Sequence, residues 1–199
     1  MKKLIIFIIP AFLFLNSLNA VTYNSEPKIF ITELIEDAIK TLSDKSITKE
    51  EKSKIIEKIA QKNVDINGLG MYTLGKVRKT LSDAELDNYN KLFEKYFLKS
   101  LTSRLTDYSS NKFEVLSSEQ KSATYTIVQS KILEGSTQPE IKIDWRVYTK
   151  DPLKPLIRDL IVEGLSLART QKEEFASILN SNNNDIKALL SKLEEFTSK

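Results

Sequence analysis

Apolar residues recur at helical spacing up to about Tyr108 and at strand spacing from Lys112 onward, so the chain must build helices and a sheet as separate blocks. In the first block Ile31, Leu34, Ile35, Ala38, Ile39 and Leu42 form one helical stripe. Thr48 and Glu51 have the spacing of a capping box and open a second helix with Ile55, Ile56, Ile59 and Ala60 on one side. Residues 63–70 are rich in turn formers and predict a break, followed by a short helix with loop character over 71–81. Ser82 and Glu85 repeat the capping spacing and start a long helix carrying Tyr89, Leu92, Phe93, Tyr96, Phe97, Leu101, Leu105 and Tyr108.

The second block predicts four strands. Phe113 and Val115 mark the first, Ala123, Tyr125 and Ile127 the second, Ile141, Ile143, Trp145 and Val147 the third, and residues 156–162 the fourth. Turns are expected at Ser117-Ser118, Gly135-Ser136 and Asp151-Pro152. Two helices finish the chain, from Ser166 to about Leu179 and from Asp185 to Phe196, joined by an Asn-rich turn over 181–184. Helices, then strands, then helices argue for an α+β fold, with an antiparallel sheet of about four to five strands and helices packed over one face.

Lys2 and Lys3 precede an apolar run from Leu4 to Leu15 that is too short to span a bilayer and ends at Asn16-Ser17-Leu18-Asn19-Ala20. Residues 1–20 are therefore expected to be a secretory signal peptide cleaved near Ala20, and residues 21–199 a single domain. Cleavage removes two lysines and no acidic residue, lowering the net charge from +3 to +1. No basic surplus remains to argue for nucleic acid.

The sequence contains no Cys and no His. Disulfides, Ser-His and Cys-His nucleophiles and His-ligated zinc are excluded, and an exported chain of this kind has to be held together by its core alone. Gly68-Leu69-Gly70 lacks the third glycine of a dinucleotide fingerprint. Asp159 and Glu163, four apart, are the one imaginable carboxylate pair, although acidic residues beside turns commonly bond backbone amides. No enzymatic activity, cofactor or metal site is expected.

Residues 159–175 join a strand end (Leu160, Ile161, Val162) to a helix through Glu163-Gly164, with Ser166 at the helix start and Leu167, Phe175, Ile178 and Leu179 as its apolar stripe. This segment resembles the C-terminal part of the MlaC family, also called the toluene-tolerance family of periplasmic phospholipid carriers, at Asp159, Glu163, Gly164, Ser166, Leu167 and Phe175. The likeness continues upstream through Val64-Asp65, Met71, Leu74, Gly75, Arg78, Leu81-Ser82-Asp83 and the Phe93/Tyr96/Phe97 helix. The chain departs from the family pattern where Pro155 and Arg158 replace a Trp and a Tyr, and where Lys172 replaces a helix-borne Arg.

The resemblance implies a curved sheet enclosing an apolar cavity. It also implies a monomeric periplasmic carrier of phospholipid, the bound ligand in place of any cofactor. Its partners would be an outer-membrane lipoprotein complex and an inner-membrane ABC lipid transporter, and its role the maintenance of outer-membrane lipid asymmetry. In that setting Tyr72, Val77, Phe97, Leu101, Tyr108, Val147 and Leu165 are expected to line the tail cavity. Ser166 is either a headgroup hydrogen-bonding residue at its mouth or a plain helix cap. The Arg78, Lys76 and Lys79 cluster reads as a contact for phosphate or an acidic partner, or as a solvated face. The alternative function is a secreted protein-interaction or chaperone module with a filled core and no lipid.

Overall fold

The computed structural model describes residues 22–105, 112–133 and 140–198. The expected signal peptide and Tyr108 lie outside these residues. In the described chain α1 (Pro27–Ser43), α2 (Lys49–Asn63), α3 (Ile66–Thr73), a 3-10 turn (Val77–Lys79) and α4 (Asp83–Leu105) lead into β1 (Phe113–Ser122), β2 (Tyr125–Ile132), β3 (Ile141–Tyr148), β4 (Leu156–Val162) and β5 (Leu165–Ser166), and the order ends with α5 (Leu167–Asn180) and α6 (Ile186–Ser198). The strands pair in sequence order as an antiparallel meander that does not close into a barrel. The fold is α+β.

The local signals explain most helix starts. Thr48 and Glu51 close a reciprocal capping box on α2, and the Glu85 carboxylate accepts the Ser82 backbone N–H at 2.8 Å ahead of α4. Pro27 starts α1, where its missing N–H costs nothing.

Two expectations need correction. The turn-rich segment after Asn63 is helical from Ile66 onward, because Asp65 caps it by accepting the Gly68 N–H at 2.9 Å. Gly70 belongs to this helix for a packing reason: a Cβ there would sit 2.9 Å from Cδ1 of Phe93, so only glycine lets α3 approach α4 this closely. The second correction concerns Ser117-Ser118, which do not turn. β1 runs through them to Ser122, absorbing a register shift between Val115 and Ser117, and the chain reverses at Ala123-Thr124. An edge strand facing solvent tolerates serines, and Ser117 Oγ donates to Gln129 Oε1 of β2 at 2.8 Å.

At the far edge, Glu163 and Gly164 both adopt positive φ (49° and 81°), the two-residue geometry that reverses a tight hairpin between β4 and β5. That reversal delivers Ser166 to the start of α5. Val64 forms a parallel bridge with Ile157, and Asp65 N–H donates to the Ile157 carbonyl at 2.9 Å, which ties the α2–α3 junction to the sheet.

Candidate functional site

The buried apolar residues do not form one core. One cluster gathers Leu69, Tyr89, Phe93, Phe175, Leu179 and Leu189 among the helices. A second gathers Phe30, Ile31 and Leu34 of α1 with Val128, Val147 and Ile157 of the sheet. Between them lies a cavity of about 410 Å³ whose wall takes residues from both clusters.

Residues of α1, α2, α3, α4, α5 and the sheet make that wall. α1 contributes Ile35, Ala38, Ile39 and Leu42, and α2 contributes Ile56, Ile59 and Ala60. α4 contributes Phe93, Phe97, Leu101 and Leu105, and the sheet contributes Phe113, Ile132, Ile143, Trp145, Ile157 and Leu160. The wall is predominantly apolar, and the cavity falls in the size range of about 300–1,000 Å³ typical of ligand pockets. α4 can serve both the helical core and this wall because its apolar residues cover more than one face. Tyr89 and Phe93 stack on each other and meet Phe175 edge-on, while Phe97 and Leu101 follow one and two turns beyond Phe93.

The few polar groups at the wall are held by specific partners. Trp145 Nε1 donates to Ser130 Oγ at 2.8 Å, which in turn donates to the Ile143 carbonyl at 3.3 Å, so the indole is tied to the neighbouring strand β2. The buried Asp159 carboxylate accepts Ser166 Oγ at 2.6 Å and the Ala168 N–H at 2.9 Å, with Arg146 at 3.4 Å. It thus satisfies donors at the start of α5 and locks that helix onto β4. Tyr96 Oη donates to Gln171 Oε1 at 2.7 Å and bridges α4 to α5. Burial pushes the Tyr96 phenol above its ordinary value.

Of the residues proposed from sequence, Phe97 and Leu101 stand in the wall. The others are placed differently. Val147 is fully buried in the sheet-side cluster and packs there. Val77, on the 3-10 turn, packs against the helical cluster. Tyr72 is exposed under the Lys172 ammonium, 4.9 Å from its ring centre, and Leu165 is 59% exposed on β5. Ser166 caps α5, accepting the Arg169 N–H at 3.1 Å while donating to Asp159, so the capping alternative describes its bonds. Arg78 donates to the Met71 carbonyl at 3.0 Å and acts as a local tie.

Asp159 and Glu163 do not form a pair: Asp159 is committed to α5 and Arg146, whereas the exposed Glu163 carboxylate accepts the Lys142 N–H. The contributions of α1 and α2 were not anticipated. Their stripes were visible, but a stripe facing a hollow has the same spacing as one facing a filled core.

The profile of the MlaC protein family matches residues 32–195. Among solved structures, the phospholipid-binding protein from Ralstonia solanacearum, determined in complex with a phospholipid, is similar at a TM-score of 0.71 with 14% sequence identity, over 88% of this chain and 97% of that one. At that identity the likeness is one of fold. No curated protein matches the sequence. With the profile spanning most of its length, from within α1 to near the end of α6, the chain belongs to the MlaC family.

Proposed function

We propose that this protein is an exported carrier that shields the acyl chains of a phospholipid in the cavity between its two apolar clusters. The observation that carries the reading is the unfilled apolar space of about 410 Å³. An apolar hollow of that size forgoes the packing contacts a filled core would make, and a contiguous apolar wall reachable from the surface is the kind of surface that marks a binding site. A chain with no cysteine to cross-link it gains nothing from such a hollow unless something fills it. The filled core expected of a simple interaction module is at odds with the same space.

The lipid has matching needs. At about 0.8 kcal/mol per buried methylene, exposing a chain of about fifteen methylenes to water costs on the order of 12 kcal/mol. A wall of aliphatic and aromatic side chains removes most of that cost and makes no directional bonds along the tail, so the lipid can leave again at a membrane. The reaction is transfer, with no bond made or broken.

Family membership supports the finer reading: a periplasmic shuttle between an outer-membrane lipoprotein complex and an inner-membrane ABC lipid transporter, maintaining outer-membrane lipid asymmetry. Among the described residues no helix is long and apolar enough to cross a membrane. Extraction and mass spectrometry of the protein purified from its native envelope test the binding claim. Phospholipid at about one per chain is expected; a protein that emerges empty and takes up none from vesicles refutes it.

A further inference from the structure

The cavity is closed at one end and open at the other. Its α4 wall runs from the buried Phe93 through the half-buried Phe97 and Leu101 to the exposed Arg104 and the half-buried Leu105. Phe93 and Leu105 lie about 18 Å apart along the helix axis, which sets the depth. At the closed end Ala60 of α2, Leu69 and Thr73 of α3 and Ile157 of β4 join Phe93, and all of them are buried. This floor is braced from behind. The Phe93 ring stacks on Tyr89 with centres 5.7 Å apart and meets Phe175 edge-on at 6.2 Å. Thr73 Oγ1 donates to the Gly70 carbonyl at 2.8 Å and lies 2.7 Å from Tyr89 Oη, so its hydroxyl is committed inside the helical cluster. The Ile157 carbonyl accepts the Asp65 N–H at 2.9 Å and Val64 bridges to Ile157, so the start of α3 is pinned to β4. Pushing the floor back means breaking packed rings and hydrogen bonds, whereas the wall near Leu105 is already half-solvated.

We infer that this floor is a chain-length ruler: the terminal methyl of an acyl chain comes to rest on Ala60, Leu69 and Phe93, and the protein selects lipids by the length of their tails. The inference rests on the carrier reading and adds to it the class of chain carried. A chain of about fifteen methylenes reaches about 15 Å, half the roughly 30 Å hydrocarbon core of a bilayer, so a depth of about 18 Å takes about eighteen carbons. A methylene that passes from bilayer to cavity gains almost nothing, because both are apolar, so chains shorter than the cavity load alike. A methylene that leaves the bilayer and finds the floor in its way is placed in water, which lowers loading about fourfold. Uptake from a mixed bilayer is therefore flat with chain length up to a break and falls steeply beyond it.

The test loads delipidated protein from vesicles holding equal amounts of monounsaturated phosphatidylglycerols that differ only in chain length, with lengths on both sides of the break, and reads the lipids in the protein by mass spectrometry. The wild type should take the shorter lipids in the vesicle ratio and discriminate against the longer ones, with the break at about eighteen carbons. Ala60→Leu raises the floor and should move the break down by about two carbons, and Leu69→Ala lowers the floor and should move it up by about two. Val77→Ala loosens the helical cluster outside the cavity wall and should leave the break in place, with circular dichroism confirming the fold of each variant. If Ala60→Leu does not fold, the upward shift in Leu69→Ala decides. Uptake of every length in the vesicle ratio, or a break that stays put in the folded floor variants or moves equally in Val77→Ala, overturns the ruler and leaves the carrier reading standing. Uptake of no lipid at all overturns both.

Discussion

Leu101→Trp gives a stringent test of the cavity, because Leu101 sits in the wall on α4 with the sheet-side residues Ile143 and Trp145 across the hollow. An indole adds about six heavy atoms to the leucine side chain, and each displaces roughly one tail methylene. At about 0.8 kcal/mol per methylene, the full displacement weakens lipid binding by on the order of 5 kcal/mol. Relaxation of the wall and of the lipid recovers part of this, so a loss of about 2 kcal/mol, roughly thirtyfold in affinity, is the expected minimum. The assay is uptake of phospholipid from vesicles, measured by native mass spectrometry at several lipid concentrations.

The lipid-free variant should also unfold at the same or a higher urea concentration than the lipid-free wild type, since the ring fills empty space. That second measurement separates a blocked cavity from a damaged fold. A stable Leu101→Trp that loads as well as the wild type would refute the placement of the tail along α4.

Asp159→Asn removes the charge that Arg146 faces and keeps one carbonyl oxygen for the Ala168 N–H, while its amide NH2 replaces the oxygen that accepts from Ser166, and it should cost about 2–3 kcal/mol in urea unfolding, less than a fully buried pair because Arg146 is partly solvated. Gly70→Ala forces a Cβ toward Phe93 and should lower stability by about 1–3 kcal/mol, whereas an unchanged midpoint would show that α3 and α4 are free to separate. Tyr89→Phe removes the hydroxyl bonded to Thr73 Oγ1 and the Gly70 carbonyl, which stay bonded to each other at 2.8 Å, and should cost about 0.5–1.5 kcal/mol by the same assay. Burial raises the Tyr89 phenol above its ordinary value of about 10, so the folded state holds that proton more tightly than the unfolded chain. Its stabilisation is complete below pH 10 and is lost as pH rises above it, so the alkaline decline in stability should be shallower in Tyr89→Phe.

The helices and strands were legible because each has a single dominant period and most carry their own caps. Residues 63–70 misled because Asn and Gly favour turns in isolation, whereas Asp65 and the tight approach of Gly70 to Phe93 make the segment helical. Phe97 and Leu101 could be placed because they continue an aromatic stripe longer than one contact surface needs. Val147 and Trp145 alternate to the same side of β3, and only the position along the strand decides that Val147 packs in the cluster while Trp145 faces the hollow. Leu165 and Tyr72 lie close to the glycine turns at Gly164 and Gly75, where solvent exposure has no sequence signature. The shares of α1 and α2 depend on how far those helices stand off the sheet, a distance set by tertiary packing.

Trp145 is the only tryptophan in the chain and lies in the cavity wall, so its fluorescence reports on what enters. The decisive measurement compares quenching of the wild type loaded with phospholipid brominated at mid-tail against phospholipid brominated in the headgroup. A tail buried between α4 and the sheet should quench Trp145 strongly with the first and weakly with the second. Stoichiometric lipid binding with no quenching by the mid-tail bromines would place the acyl chain elsewhere and contradict the cavity as the binding site.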